Sequence, residues 1–345
     1  MGQFGAIFVR ILLSSSLSLS LSATAAFAGS SSSAVLAPKL HEPISPLPSE
    51  RPSVNADVAA LGFLLFEDTR LSKNNTISCS TCHNLSHGGA DNLSTSVGIN
   101  GAFGTINTPT VFNSALNFRQ FWDGRVATLE EQVNGPLQHP KEMGSRWDDV
   151  LAKISKDQKY KSEFGRLYTD GVTQTNVKNA IATFERSLIT PNARFDRYLR
   201  GEVEALTAQE KKGYQQFKSF GCIACHQGTN VGGNMFQTMG VMGRYFEDRG
   251  TPITEADLGR FNVTKDEQDK FVFRVPSLRN VELTAPYFHD GSAKSLDDAV
   301  IAMAKFQLGR KLSGAEVSAF VAFLKSLTGE VPRILVAPKR EAASK

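Results

Sequence analysis

All four cysteines of this 345-residue chain fall in two copies of one five-residue pattern, Cys79-Ser80-Thr81-Cys82-His83 and Cys222-Ile223-Ala224-Cys225-His226. Two disulfides would use the cysteines but leave both histidines unexplained. A zinc site would need four ligands converging, and the motifs lie far apart with a His after each pair. A thioredoxin-like dithiol would need a βαβ context, which the sequence lacks. The remaining chemistry is covalent haem attachment. Each pair of thiols forms thioethers to the two vinyl groups, and the following His is held under the iron as proximal ligand. The chain is therefore expected to carry two haem c groups, on His83 and His226.

The flanking pattern is helical and repeats. Val58, Leu61, Gly62 and Leu65 have the i, i+3, i+4, i+7 spacing of a helix face ahead of the first motif. Thr207-x-x-Glu210 is a capping box that opens a helix through Tyr214 and Phe217 ahead of the second. Gly62-x-x-x-Phe66 matches Gly213-x-x-x-Phe217, and a Gly on a helix face lets another helix approach closely. Each half closes with an amphipathic helix. Val177, Ala180, Ile181, Phe184 and Leu188 form one stripe, and Val317, Phe320, Val321, Leu324 and Leu327 the other. The second closing helix starts at the capping box Ser313-x-x-Glu316 and is expected to stop at Gly329. Strand patterns are sparse. The expected fold is mainly α, with two domains that resemble cytochrome c, spanning 53–195 and 196–335, joined through residues 190–205 and followed by a tail at 336–345.

The N-terminus reads as an export signal. Arg10 precedes an apolar stretch from Ile11 to Phe27, and Ala26-Phe27-Ala28 is a small-x-small cleavage pattern, so cleavage is expected after Ala28. A retained membrane anchor is the weaker reading, because the stretch is short and serine-rich. Residues 29–52, rich in Ser, Pro and Ala, read as a flexible lead-in. The expected location is the periplasm. A net charge of +4 is too small to argue for nucleic acid and at most tunes docking to a charged protein.

The far-side ligand of each iron decides what each haem can do. His plus Met gives a six-coordinate, raised-potential iron suited to electron transfer, whereas a missing sixth ligand leaves room for a small oxidant. In the second half Met235, Met239 and Met242 follow His226 too closely to be expected across the haem. Met303, placed just before the closing helix where a loop can return over the haem, is expected to be the ligand rather than a core thioether.

Three further stretches carry a family resemblance: Phe121-Trp122-Asp123-Gly124-Arg125, Pro140-Lys141-Glu142-Met143-Gly144, and Pro276-Ser277-Leu278-Arg279-Asn280 continuing to Ala285-Pro286-Tyr287-Phe288-His289-Asp290-Gly291. With the two haem motifs, they make the chain resemble the bacterial dihaem cytochrome c peroxidases over essentially its whole mature length. The resemblance implies reduction of hydrogen peroxide to water, with electrons from a small periplasmic cytochrome c or cupredoxin. It makes the haem on His83 the low-potential peroxidatic one and the haem on His226 and Met303 the electron entry. It assigns Trp122 a relay position between the haems and Glu142 the acid/base role at the peroxide site. Asn107, Thr284 and Pro286 match ligands of an interdomain calcium ion, His289 matches a histidine near the second haem, and a homodimer is implied.

One position departs from the family pattern. Many members carry a distal His sixteen residues after the first proximal His, and here that residue is Ile99, which cannot bind iron. The first haem is therefore expected to be open without reductive activation, or closed by a group that the sequence does not point to. Two other readings compete. One is a relative of the dihaem enzyme of methylamine utilisation, which oxidises residues of a partner protein; it fits the missing His but not Met303. The other is a plain dihaem electron carrier, which fits neither Glu142 nor Ile99.

Overall fold

The computed structural model describes residues 42–332. The expected signal peptide at 1–28, the first part of the lead-in and the tail at 336–345 lie outside the described residues. The described chain is mainly helical, with two three-residue strands, β1 (Phe236–Thr238) and β2 (Val272–Arg274), paired antiparallel with Gln237 opposite Phe273. None of its helices is long and apolar enough to cross a membrane.

Four helices set the frame. Helix α1 (Ala56–Phe66) starts where the Asn55 side chain accepts from the backbone N–H groups of Asp57 and Val58, and α2 (Gln174–Ser187) starts at a Thr173 cap. Helices α3 (Ala208–Ser219) and α4 (Gly314–Lys325) both open with the capping boxes read from the sequence. Helix α4 ends at Lys325, earlier than expected. Gly329 instead lies against another backbone, where a Cβ would sit 2.1 Å from the Thr190 carbonyl oxygen.

α1 crosses α2, and α3 crosses α4, in the same way. A Cβ on Gly62 would lie 1.9 Å from the Ala180 carbonyl oxygen, and one on Gly213 would lie 2.0 Å from that of Ala319. Each contact is backbone to backbone, so only Gly allows this separation. Aromatic packing repeats as well. Phe63 and Phe66 lie 5.3 and 5.2 Å from Phe184, while Tyr214 and Phe217 lie 5.2 and 5.1 Å from Phe323. Each crossing anchors its own apolar core, one built from Val58 to Leu188 and the other from Ile44 and Phe195 to Leu327.

One expectation changes. Residues 42–47, read as part of a flexible lead-in, are packed on the second core. Ile44 and Leu47 are buried, the Glu42 carboxylate accepts from Tyr214 Oη and Lys218, and the Leu47 N–H donates to Asp196. Ser- and Pro-rich composition concealed two well-spaced apolar anchors. The connection at 190–205 carries structure of its own. It holds the helix Arg194–Leu199, whose Phe195 belongs to the second core and whose Asp196 forms a fully buried ion pair with Arg279 at 2.9 Å.

Candidate functional site

Cys79–Cys82 forms a single helical turn, with Ser78 and Thr81 closing a capping box around it. The His83 N–H donates to the Cys79 carbonyl at 2.8 Å, which carries the imidazole directly beyond the two thiols. The His83 Nδ1–H donates to the Gly89 carbonyl at 3.2 Å. That bond fixes the tautomer and turns Nε2, with its lone pair, toward a metal. The second motif repeats the arrangement on a 3₁₀ turn. The His226 N–H donates to the Cys222 carbonyl at 3.0 Å, and its Nδ1–H donates to the Val231 carbonyl at 3.4 Å. Burial holds both rings neutral; it lowers the His83 pKa and takes His226 down to about 4. No two of the four cysteines are bonded to each other.

Around the second motif lies a largely apolar cavity of about 430 Å³. Cys222, Cys225, His226 and Met303 all line it, so two thiols, an imidazole and a thioether are available to one haem. Arg274, almost wholly buried, is the one cationic side chain among the lining residues and suits a propionate. This donor set fits haem c. Met303 does not sit on a returning loop as expected. It lies inside the helix Leu296–Leu308, which is capped by a Ser295–Asp298 box, so its thioether is carried on a rigid element. Met239 also lines the cavity, although sequence spacing argued against it. Met242 is exposed at 62%.

Trp122 lines the same cavity, and its Nε1–H donates to the Asn107 carbonyl at 2.9 Å. Its ring meets Phe273 and His289 edge-on at 6.5 and 6.4 Å. The preceding residue, Phe121, has φ of +68° and faces the other way. Together with Arg125, His139 and Glu142 it lines a second, open pocket of about 680 Å³. One short segment thus separates the cavity of the second motif from the pocket of Glu142.

Glu142 sits on the turn His139–Gly144, with its Oε1 3.5 Å from His139 Nδ1. Partial burial raises its pKa, against the opposing pull of His139 and Arg125. The Lys73 N–H donates to the Met143 carbonyl at 2.9 Å, which ties this turn to the segment leading into the first motif. The Ile99 N–H donates to the Glu142 carbonyl at 2.9 Å. The Ile99 side chain is buried against Gly144, where a Cβ would meet its Cδ1 at 2.5 Å. Ile99 therefore supports the Glu142 turn from below.

Asn107, Thr284 and Pro286 all line the second cavity. The Asn107 side-chain amide donates to the Leu93 carbonyl. Sequence reading missed the surroundings of His289. Its Nε2 lies 2.7 Å from Asp257 Oδ1, and Arg249 bridges Asp257 and Asp290 at 2.7 Å each. The guanidinium fills the position a metal would need between the two acids. His289 lines the cavity of the second motif with its Nε2 held by Asp257. Asp257 is remote in sequence, and no local spacing points to it.

A family model described as di-haem cytochrome c peroxidase matches residues 56–204. The cytochrome c peroxidase Ccp of Escherichia coli K12 is 50% identical over 84% of this chain, which spans 62% of that relative's length. The cytochrome c551 peroxidase of Nitrosomonas europaea is 47% identical over 85% of this chain and 86% of its own length. Among solved structures, a MauG-like protein associated with microbial copper homeostasis superimposes with a TM-score of 0.72 at 28% identity, covering 88% of this chain and 97% of its own.

Proposed function

The chain belongs to the di-haem cytochrome c peroxidase family, and from that premise we propose that it reduces hydrogen peroxide to water at the first haem site. The observation that carries the reading is Glu142. It is a carboxyl group with a raised pKa in an open pocket, on a turn tied by Met143 to the segment leading into the first Cys-x-x-Cys-His motif. Bound haem supplies one-electron chemistry at iron and a site for the peroxide oxygen. Cleaving peroxide also requires one proton moved from the inner to the outer oxygen, and a carboxyl group whose pKa is raised by burial can take it and return it. Ile99 holds the Glu142 backbone in place and presents no group that binds iron, so peroxide would find the first site open without prior reduction.

Electrons would come one at a time from a small c-type cytochrome or cupredoxin. They would enter at the haem held by His226 and Met303 and cross by way of Trp122. Asn107, Thr284 and Pro286 would supply oxygens to a calcium ion between the two haem regions. The N-terminal segment would direct the chain to the periplasm, where it would act as a homodimer. A second reading, oxidation of residues in a partner protein, draws support from Ile99 and from the MauG-like neighbour.

Steady-state turnover of peroxide with reduced cytochrome c tests the peroxidase reading, and absence of turnover in the fully loaded protein would refute it. Electron paramagnetic resonance of the ferric protein tests the open site. The expected spectrum has a high-spin component, and two purely low-spin haems would show that another group closes the first.

A further inference from the structure

The shared helix crossings bring a second acid to the first haem. Ala180 and Phe184 of α2 meet Gly62 as Ala319 and Phe323 of α4 meet Gly213. In that register the next residue of α4 is Leu324, which lines the second cavity together with Cys222. The next residue of α2 is Glu185. It is 5% exposed, and its Oε2 has no hydrogen-bond partner among the described residues. Cys79 packs on the core to which its α2 neighbours Ala180, Ile181 and Phe184 belong. The fold therefore puts a carboxyl group against the first haem site where the second site has a leucine.

We propose that Glu185 is a protonated acid in the wall of the first haem pocket and that it exchanges its proton as that haem changes redox state. The second haem, walled by Leu324, has no such partner.

The physical reason is electrostatic. A buried carboxylate without a hydrogen-bond partner is costly, so the group stays neutral unless its surroundings stabilise the charge. Burial pushes the Glu185 pKa up to about 8, opposed by Arg186 and reinforced by Glu130. Arg186 is itself paired with Glu130 at 2.8 Å, which leaves it little positive field to spare. On the facing elements, Cys79 of the first motif packs on the same core and Glu67 stands at the end of α1. An added electron raises the affinity of a nearby carboxylate for a proton. Where the oxidised protein holds Glu185 ionised, reduction places one electron on the iron, from the donor, and one proton on Glu185, from solvent. Oxidation reverses both.

This inference rests on haem attachment at Cys79 and Cys82 and not on peroxide chemistry, so the two fail separately. The test is a potentiometric titration of the dihaem protein from mildly acid to alkaline pH, with each haem followed by its own spectrum. The wild-type first-haem potential is expected to fall as pH rises through the alkaline range. Glu185→Gln, which conserves volume, should lose that dependence while the second haem is unchanged. Glu185→Leu, which installs the residue of the second half, should do the same. Retention of the wild-type slope in either variant would overturn the proposal. If neither variant loads haem, redox-difference infrared spectra of the wild type decide. A carboxyl band that responds to first-haem reduction and shifts in heavy water is expected, and its absence would overturn the proposal.

Discussion

In the first half, α1 lies on α2 with Gly62 against Ala180 and Phe184; in the second, α3 lies on α4 with Gly213 against Ala319 and Phe323. The aromatic contacts around the two crossings agree to about 0.2 Å. The residues facing the two haem sites agree hardly at all. Glu185 stands where the other half has Leu324. The second cavity has Met303 on a rigid helix, whereas the Glu142 turn is underpinned by Ile99. Close helix packing constrains backbone separation, which Gly satisfies whatever its neighbours do. One residue further along, at Glu185 and Leu324, no such backbone constraint holds, and there the two halves differ.

The comparison can be broken in three places. The largest effect is expected at Glu142. If the first site alone performs proton transfer, Glu142→Gln should reduce peroxide turnover by roughly 10²–10⁴-fold. Both haem spectra should be unchanged, and reduction of the second haem by the electron donor should proceed at the wild-type rate. Stopped-flow kinetics separates these steps, and an unaffected peroxide step would remove Glu142 from its role.

The next effect tests whether the crossings are equivalent. Gly62→Ala and Gly213→Ala each press a methyl group into a carbonyl oxygen that belongs to the facing helix backbone. Each should destabilise the holoprotein by about 1–3 kcal/mol, measured by denaturant unfolding. Clearly unequal losses would show that one crossing yields where the other does not.

The smallest effect contrasts two buried carboxylates. Burial works to raise the Asp257 pKa, but hydrogen bonds from Arg249, Thr254 and His289 hold it well below the usual range. Its folded value lies below the ordinary 3.8, so its stabilising contribution is complete above about pH 4 and is lost as the pH falls further. Glu185 is raised to about 8 from 4.5. Folding therefore loses stability between pH 4.5 and about 8, as the unfolded chain ionises first. Asp257→Asn should weaken the acid limb of the stability–pH curve, and Glu185→Gln should flatten the decline toward alkaline pH. Thermal unfolding across pH checks both, and a shared response would mean that the two acids are not in opposite environments.

The attachment points were legible because covalent chemistry is local. Two thiols and an imidazole must follow one another on a single turn, and Cys79 to His83 and Cys222 to His226 do so in the chain itself. The helices were legible for the same reason, since capping boxes at Thr207 and Ser313 and stripes such as Val177 to Leu188 follow from helical period. Residues whose role depends on a distant partner were not. Met303 was expected on a loop, although the Ser295-x-x-Asp298 box that opens its helix has the same spacing as those at Thr207 and Ser313. Residues 42–47 looked free, because Ile44 finds its core with the distant Phe195 and Tyr214, and Leu47 is tied down by the distant Asp196. Neither Asp257 nor Glu185 announced itself, since an acid in a sequence looks the same whether water, an arginine or an apolar wall surrounds it. The sequence by itself determined that this chain carries two haem attachment turns within a repeated helical frame. Only the tertiary structure decided which side chains face each turn, because burial and the groups brought in from elsewhere in the chain set the charge on a carboxyl group.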